Sequence, residues 1–172
     1  MLMQSDDKMV SQAVEVQLAQ RTRGVSSGTI VATLEGYLPV EFLSVGDRIV
    51  TRNGMRVLRQ ISVQRYSGPA VRITASALGH DRPEQDLTLP SDTLILVRDW
   101  RAQTLFGEDQ ALVPVERLVD GEFIATEKAL GMRLYELTFD EPQIVYAEGV
   151  ELYCGGMAEN EPAPDQQEAA KA

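Results

Sequence analysis

The chain has one histidine, one cysteine and one tryptophan in 172 residues. Each scarcity closes off some chemistry. With Cys154 alone, no internal disulfide can form. With His80 alone, a histidine-rich zinc site, a histidine-based triad and a Cys/His dyad all lack partners. Long apolar runs are missing as well. None approaches the roughly 20 residues that a membrane helix needs. The first residues, MLMQSDDKMVSQAV, carry early acids and no apolar stretch, unlike a signal peptide. Basic residues are outnumbered, 16 against 26 acids, and the net charge is −10. Such a surface repels phosphate backbones, so nucleic acid and membrane are not expected partners. No loop of the Asp-x-Asp-x-Asp-Gly type supports calcium, and neither a metal nor a cofactor is expected. The expected compartment is the cytoplasm, with export that needs no N-terminal signal left open.

What is present is a core. The chain is 44% hydrophobic, enough for one domain. Residues 1–23 read as a polar extension in which Val14, Val16 and Leu18 alternate, as a strand or as a helix capped by Ser5. Residues 156–172 are rich in Pro, Ala and acids and read as a disordered tail. Between them, over 24–155, lie short runs of Val, Ile, Leu and Thr punctuated by Gly, Asn and Pro. Strands are expected at 29–34, 39–43, 48–51, 55–64, 70–75, 93–97, 111–115, 121–126, 132–139, 143–147 and 150–153. Asn53-Gly54 predicts a type I′ hairpin turn. No stretch of this core holds a 3.6-residue period with caps, so the expected class is all-β.

An internal repeat sharpens the expectation. PVEFLSVGDRI (39–49) aligns without a gap to PVERLVDGEFI (114–124). Thr51 matches Thr126 at the same offset. Gly54-Met-Arg-Val matches Gly131-Met-Arg-Leu after a two-residue insertion. Upstream, Ser27-Gly-Thr-Ile resembles Ser91-Asp-Thr-Leu. The order of these matches implies two similar β subdomains related by a pseudo-two-fold axis.

These residues also carry a family resemblance. GTIVAT (28–33), GYLPVEFLSVGDRIVT (36–51), ALGHDRPEQDL (77–87), ALVPVERLVDG (111–121) and IVYAEGVELY (144–153) resemble the Hint, or Hedgehog/intein, domain in its bacterial form. The resemblance implies an all-β fold with two pseudo-two-fold-related subdomains in a compact disc or horseshoe. It also implies autoprocessing, in which a Cys or Ser attacks the preceding peptide carbonyl. Such a shift needs a nucleophile, a His to protonate the leaving nitrogen, and donors for the oxyanion. The family's nucleophile position falls on Gly24. Its histidine positions fall on Thr93 and Pro142. None of the three can do the chemistry. No His-Asn pair for a C-terminal junction exists. The expectation is a degenerate Hint domain, no longer an enzyme, that binds or scaffolds an unknown protein or peptide partner.

The alternative is an active, self-cleaving domain that uses Ser26 or Ser27, two and three residues beyond Gly24. As plain turn residues, the same two hydroxyls would bond nearby backbone. His80 is either a displaced acid or a surface loop residue. Cys154 is either a resolving thiol or lipidation site, or a buried strand cysteine. Asp47 with Glu122, and Glu41 with Glu116, occupy equivalent places in the repeat. They are read as turn carboxylates rather than as paired acids. Asp81, Arg82, Glu84 and Asp86 read as a solvated loop, and Trp100 as a loop aromatic at the edge of the core.

Overall fold

A computed structural model describes residues 24–157. The readings of residues 1–23, and of the tail beyond Met157, lie outside the described residues. The described chain forms twelve strands, two short 3₁₀ turns and one α-helix. A four-stranded sheet has the order β1 (Val25–Ser26), β10 (Ile124–Thr138), β6 (Gln60–Ile73), β7 (Leu87–Pro90). The second sheet runs β3 (Gly36–Pro39), β2 (Ile30–Thr33), β4 (Arg48–Thr51), β11 (Gln143–Ala147), β12 (Val150–Cys154), β8 (Leu94–Val97), β9 (Ala111–Pro114). Strand β5 (Gly54–Val57) pairs with β4 off this path. All strand pairings are antiparallel.

The period-2 pattern explains the sheets. Along β11, Gln143, Val145 and Ala147 are buried, while Ile144 and Tyr146 between them are partly exposed. That alternation is the signature of a half-buried strand. Ile49, Leu58, Ile73, Leu89, Ile95, Ile124, Phe139 and Leu152 are fully buried and join one continuous core. Each such side chain contributes about 1.5–3 kcal/mol by leaving water.

The repeat is visible in backbone bonds. In the first half, Ile30 faces Pro39 and the chain then enters a 3₁₀ turn at Val40–Phe42. In the second, Leu94 faces Pro114 and the chain enters a 3₁₀ turn at Val115–Leu118. Pro39 and Pro114 hold nearly the same backbone angles, −57°/140° and −60°/137°. A proline there fixes φ just ahead of the turn. The run 39–43, expected as a strand, is therefore a strand end followed by a 3₁₀ turn.

Four further expectations change. The strands expected at 55–64 and 70–75 fall in β5 and β6, with β6 running on through Gly68 and Pro69. Those expected at 121–126 and 132–139 fuse into β10, which passes a β-bulge between Ala129 and Met132. The Asn53-Gly54 hairpin forms, but Thr51 pairs with Gly54, so the turn residues are Arg52 and Asn53. Only Gly54 takes a positive φ, +83°, as in a type I turn closed by a glycine bulge rather than a type I′ turn. Finally, an α-helix, α1 (Trp100–Phe106), stands where a loop was expected. Asp99 caps it by accepting the Arg101 N–H at 2.9 Å, and Gly107 ends it in the left-handed conformation. Its two turns are too short for a helical period to show in sequence.

Candidate functional site

Both ends of the described core arrive at one edge of β10. Val25 faces Tyr135 and Ser26 faces Leu134. The Ser27 N–H donates to the Arg133 carbonyl at 3.1 Å. Four residues beyond Tyr135, the Phe139 N–H donates to Gly155 O at 3.1 Å, and the Met157 N–H donates to Phe139 O at 2.8 Å. Arg133, Tyr135 and Phe139 have the same parity along the strand, so their backbone groups point to the same side. The entering and leaving chains thus share one edge, spaced by about 13 Å of strand.

Gly24 sits at this edge. Its φ is +134°, and a Cβ added there would stand 3.1 Å from the Tyr135 carbonyl oxygen. Only glycine adopts this conformation at little cost. Pro142 is exposed, and its Cδ lies 2.9 Å from where a Cβ on Gly156 would be. It therefore flanks the departing chain. Thr93 is 2% exposed, and its Oγ1 has no hydrogen-bond partner. Its backbone is held in the repeat frame: the N–H donates to Pro90 O at 3.0 Å, and the carbonyl accepts from Val115 at 2.8 Å.

Beside this edge lies a cleft of about 230 Å³ lined by Ser26, Ser27, Thr29, Asp86 and Glu148, among others. The hydroxyl of Ser26 shares a hydrogen bond with Thr29 Oγ1 at 3.2 Å and donates to Thr88 O at 3.4 Å. The second contact draws β1 towards β7, so the two edge strands of the small sheet meet. None of these partners is a base that could activate a serine. Glu148 is buried, with φ +51° in the turn between β11 and β12. Its Oε1 accepts the Ile30 N–H at 2.9 Å, while Oε2 is buried without a partner. Sequence reasoning missed Glu148; the signal was there, as a glutamate ahead of a turn glycine in YAEG.

The other candidates scatter. His80 is 95% exposed and pairs at 3.3 Å with Asp81, on a loop. Cys154 is a buried thiol on β12. Trp100 opens α1, with the Arg101 guanidinium 4.8 Å from its ring. Glu41 accepts the Gly28 N–H at 2.8 Å, and this bond holds its carboxyl below the usual range. Asp47 accepts the Ser44 N–H at 2.8 Å. In the second half, the turn carboxylate is Asp120 rather than the expected Glu122. Asp120 Oδ1 accepts the N–H groups of Glu122, Phe123 and Ile124 at 2.8–2.9 Å. Those bonds, Ile124's first, lower its pKa. Asp86 accepts the Ala75 N–H at 2.9 Å. Arg82, expected in a solvated loop, reaches into an ion-pair cluster with Glu151. Among the described residues, no group of three or more His, Cys, Asp or Glu is placed to hold a metal ion. No described helix is long and apolar enough to cross a membrane.

Two antiparallel sheets that carry a strand–3₁₀ unit twice over define the fold class. Residues 24–153 match the Hint domain family, and the chain belongs to that family. Among solved structures, it is similar to the bacterial intein-like domain of Clostridium thermocellum, with 15% identity, 78% of this chain and 99% of that one covered, and a TM-score of 0.56. It is also similar to a DnaB intein from Synechocystis, with 8% identity, 77% and 98% covered, and a TM-score of 0.53. At such identities the likeness speaks to the fold. A comparison with curated proteins gives no match.

Proposed function

We propose that this Hint domain no longer autoprocesses and serves as a binding or scaffold module for a protein or peptide partner. The observation that carries the reading is Gly24. The position of the family's nucleophile holds a residue without a side chain, in a conformation that other residues adopt only under strain. Two further points support it. Thr93 offers a buried hydroxyl where an acid is needed, and a hydroxyl does not protonate an amide nitrogen near neutral pH. Pro142 offers no titratable group. General acid–base help is worth roughly 10²–10⁴-fold, and groups that act as a unit fail together. The cleft beside Ser26 and Glu148 is where the scaffold would receive a peptide.

The test is the intact mass of the full 172-residue chain, incubated with and without hydroxylamine or a thiol. The expected species is 19.0 kDa throughout. A fragment that begins at Ser26 or Ser27 would overturn the reading and identify the serine as a displaced nucleophile. The binding half is tested separately, by pull-down with the full chain and a Glu148→Lys control that fills the cleft. A specific partner is lost on that substitution; a partner retained by it binds elsewhere.

A further inference from the structure

A second site lies on the face of the larger sheet, independent of the cleft and of the reading above. Glu151, on β12, is fully buried. Its Oε1 accepts Arg52 Nη1 at 2.8 Å. Its Oε2 accepts Arg98 Nε at 2.9 Å and Arg82 Nη2 at 3.4 Å. Arg52 follows β4, Arg98 follows β8, and Arg82 comes from the loop before β7. Three guanidiniums therefore converge on one carboxylate.

The charges do not balance. One buried carboxylate is satisfied by one or two well-placed guanidiniums, and Arg52 and Arg98 each take one of its oxygens. Arg82 makes the longest contact and is anchored separately, donating from Nε to Gly149 O at 3.2 Å. The four side chains sum to a formal charge of +2, and Asp99, which lines the same cleft as Arg82 and Arg98, is paired with Arg101 at 2.6 Å. The side chains of Arg52, Arg82 and Arg98 are 31%, 38% and 41% exposed, so their outer edges meet water. Each guanidinium has five N–H donors in a fixed fork. The bonds to Glu151 and Gly149 engage Nη1 of Arg52, Nε of Arg98, and Nε and Nη2 of Arg82, so they use up none of the three forks. The chain's distant acids are screened beyond a Debye length of about 8–10 Å, so they do not cancel this local field.

We propose that Arg52, Arg82 and Arg98 form a binding site for a doubly charged oxyanion, either a phosphoryl group or a pair of neighbouring carboxylates. Glu151 holds the three forks in place from beneath. The ligand accepts their outward donors, and guanidinium forks match such oxygens in pairs. The anion relieves the mutual repulsion of three like charges, which gives binding a driving force that a single surface arginine lacks.

The test follows the arginine Nε–Hε resonances of the full chain by NMR during titration with inorganic phosphate and, separately, with succinate. The expected result is a saturable shift, at millimolar ligand, confined to Arg52, Arg82 and Arg98. Saturation by phosphate alone identifies a phosphoryl ligand and by succinate alone a carboxylate pair; either supports the site. Arg82→Gln removes the arginine least needed by Glu151 and should weaken binding roughly fivefold or more. The proposal is overturned if neither anion gives a saturable shift while the amide spectrum remains that of the folded chain. It is equally overturned if a folded Arg82→Gln variant binds the anion as tightly as the parent.

Discussion

The carbonyl of Thr93 accepts the N–H of Val115 at 2.8 Å. In the other half of the repeat, the carbonyl of Thr29 accepts the N–H of Val40 at 2.9 Å. The two threonines are thus interchangeable as backbone, and each ties the start of a strand to the 3₁₀ turn of its own half. Their side chains differ. Thr29 Oγ1 bonds Ser26, whereas Thr93 Oγ1 is buried without a partner. A buried hydroxyl with no bond carries a desolvation cost of about 1–3 kcal/mol that nothing returns.

Thr93→Val should therefore be neutral or stabilising, by up to about 1 kcal/mol, because it removes that hydroxyl and keeps the shape. Urea unfolding of the two proteins measures it. A clear loss of stability would mean that the hydroxyl has work in the folded state, which would weaken the view that this position is chemically empty.

Gly24→Cys places a thiol where the proposed reading puts the lost nucleophile, but into a backbone that resists it. At φ +134°, with the new Cβ 3.1 Å from Tyr135 O, the strain should cost about 1–3 kcal/mol or pull β1 off β10. No thiol- or hydroxylamine-dependent cleavage is expected, because Thr93 still cannot protonate the leaving nitrogen. Intact mass and a thermal melt read the two effects separately. Cleavage of this single variant would show that the scaffold still supplies an acid.

The repeat was legible because it is written in residues with backbone consequences. Pro39 and Pro114 fix φ, and the Gly-Thr and Asp-Thr entries place the same carbonyls. What misled was punctuation. Gly68, Pro69 and Gly131 read as strand ends, yet they lie within β6 and β10, flanking the bulge where register shifts between Ala129 and Met132. A glycine inside a long twisted strand marks a bulge as readily as a turn. Helix α1 was hidden by its length. For the site, the family resemblance pointed to Gly24, Thr93 and Pro142 and to nothing beyond them. Glu148 and the arginine cluster come from segments far apart in the chain, and only the strand order β4–β11–β12–β8 brings Arg52, Arg98 and Glu151 together.

The turn at 120–124 gives a direct comparison of two carboxylates. Asp120→Ala removes the acceptor of three backbone N–H groups and should cost about 1 kcal/mol, held down by the exposure of the turn. Asp120→Asn, which keeps an acceptor oxygen, should cost less. Glu122→Ala should be within about 0.5 kcal/mol of the parent. Chemical denaturation ranks the three; an equal loss at Glu122 would reinstate the symmetric assignment of Asp47 with Glu122.

Glu151 sets the acid behaviour of the larger sheet. Burial pushes its carboxyl up, but the hydrogen bonds and charges of Arg98 and Arg52 more than offset that and hold it below its ordinary value. The folded state thus releases this proton more readily than the unfolded chain does. The stability so gained is complete above the unfolded glutamate pKa of about 4.3 and is lost as pH falls through the lower folded value. Glu41 and Asp120 are depressed too and add the same slope, so the contribution of Glu151 is read as a difference between variants. Glu151→Gln should be less stable than the parent at pH 7, and the gap should narrow steadily as pH is lowered below about 4. Glu151→Ala should cost more, about 2 kcal/mol at pH 7, because three half-exposed guanidiniums are left facing one another without the carboxylate or its packing. Urea midpoints between pH 3 and 7 measure both. A pH-independent gap would mean that Glu151 is held by shape alone, with its charge irrelevant to the three arginines around it.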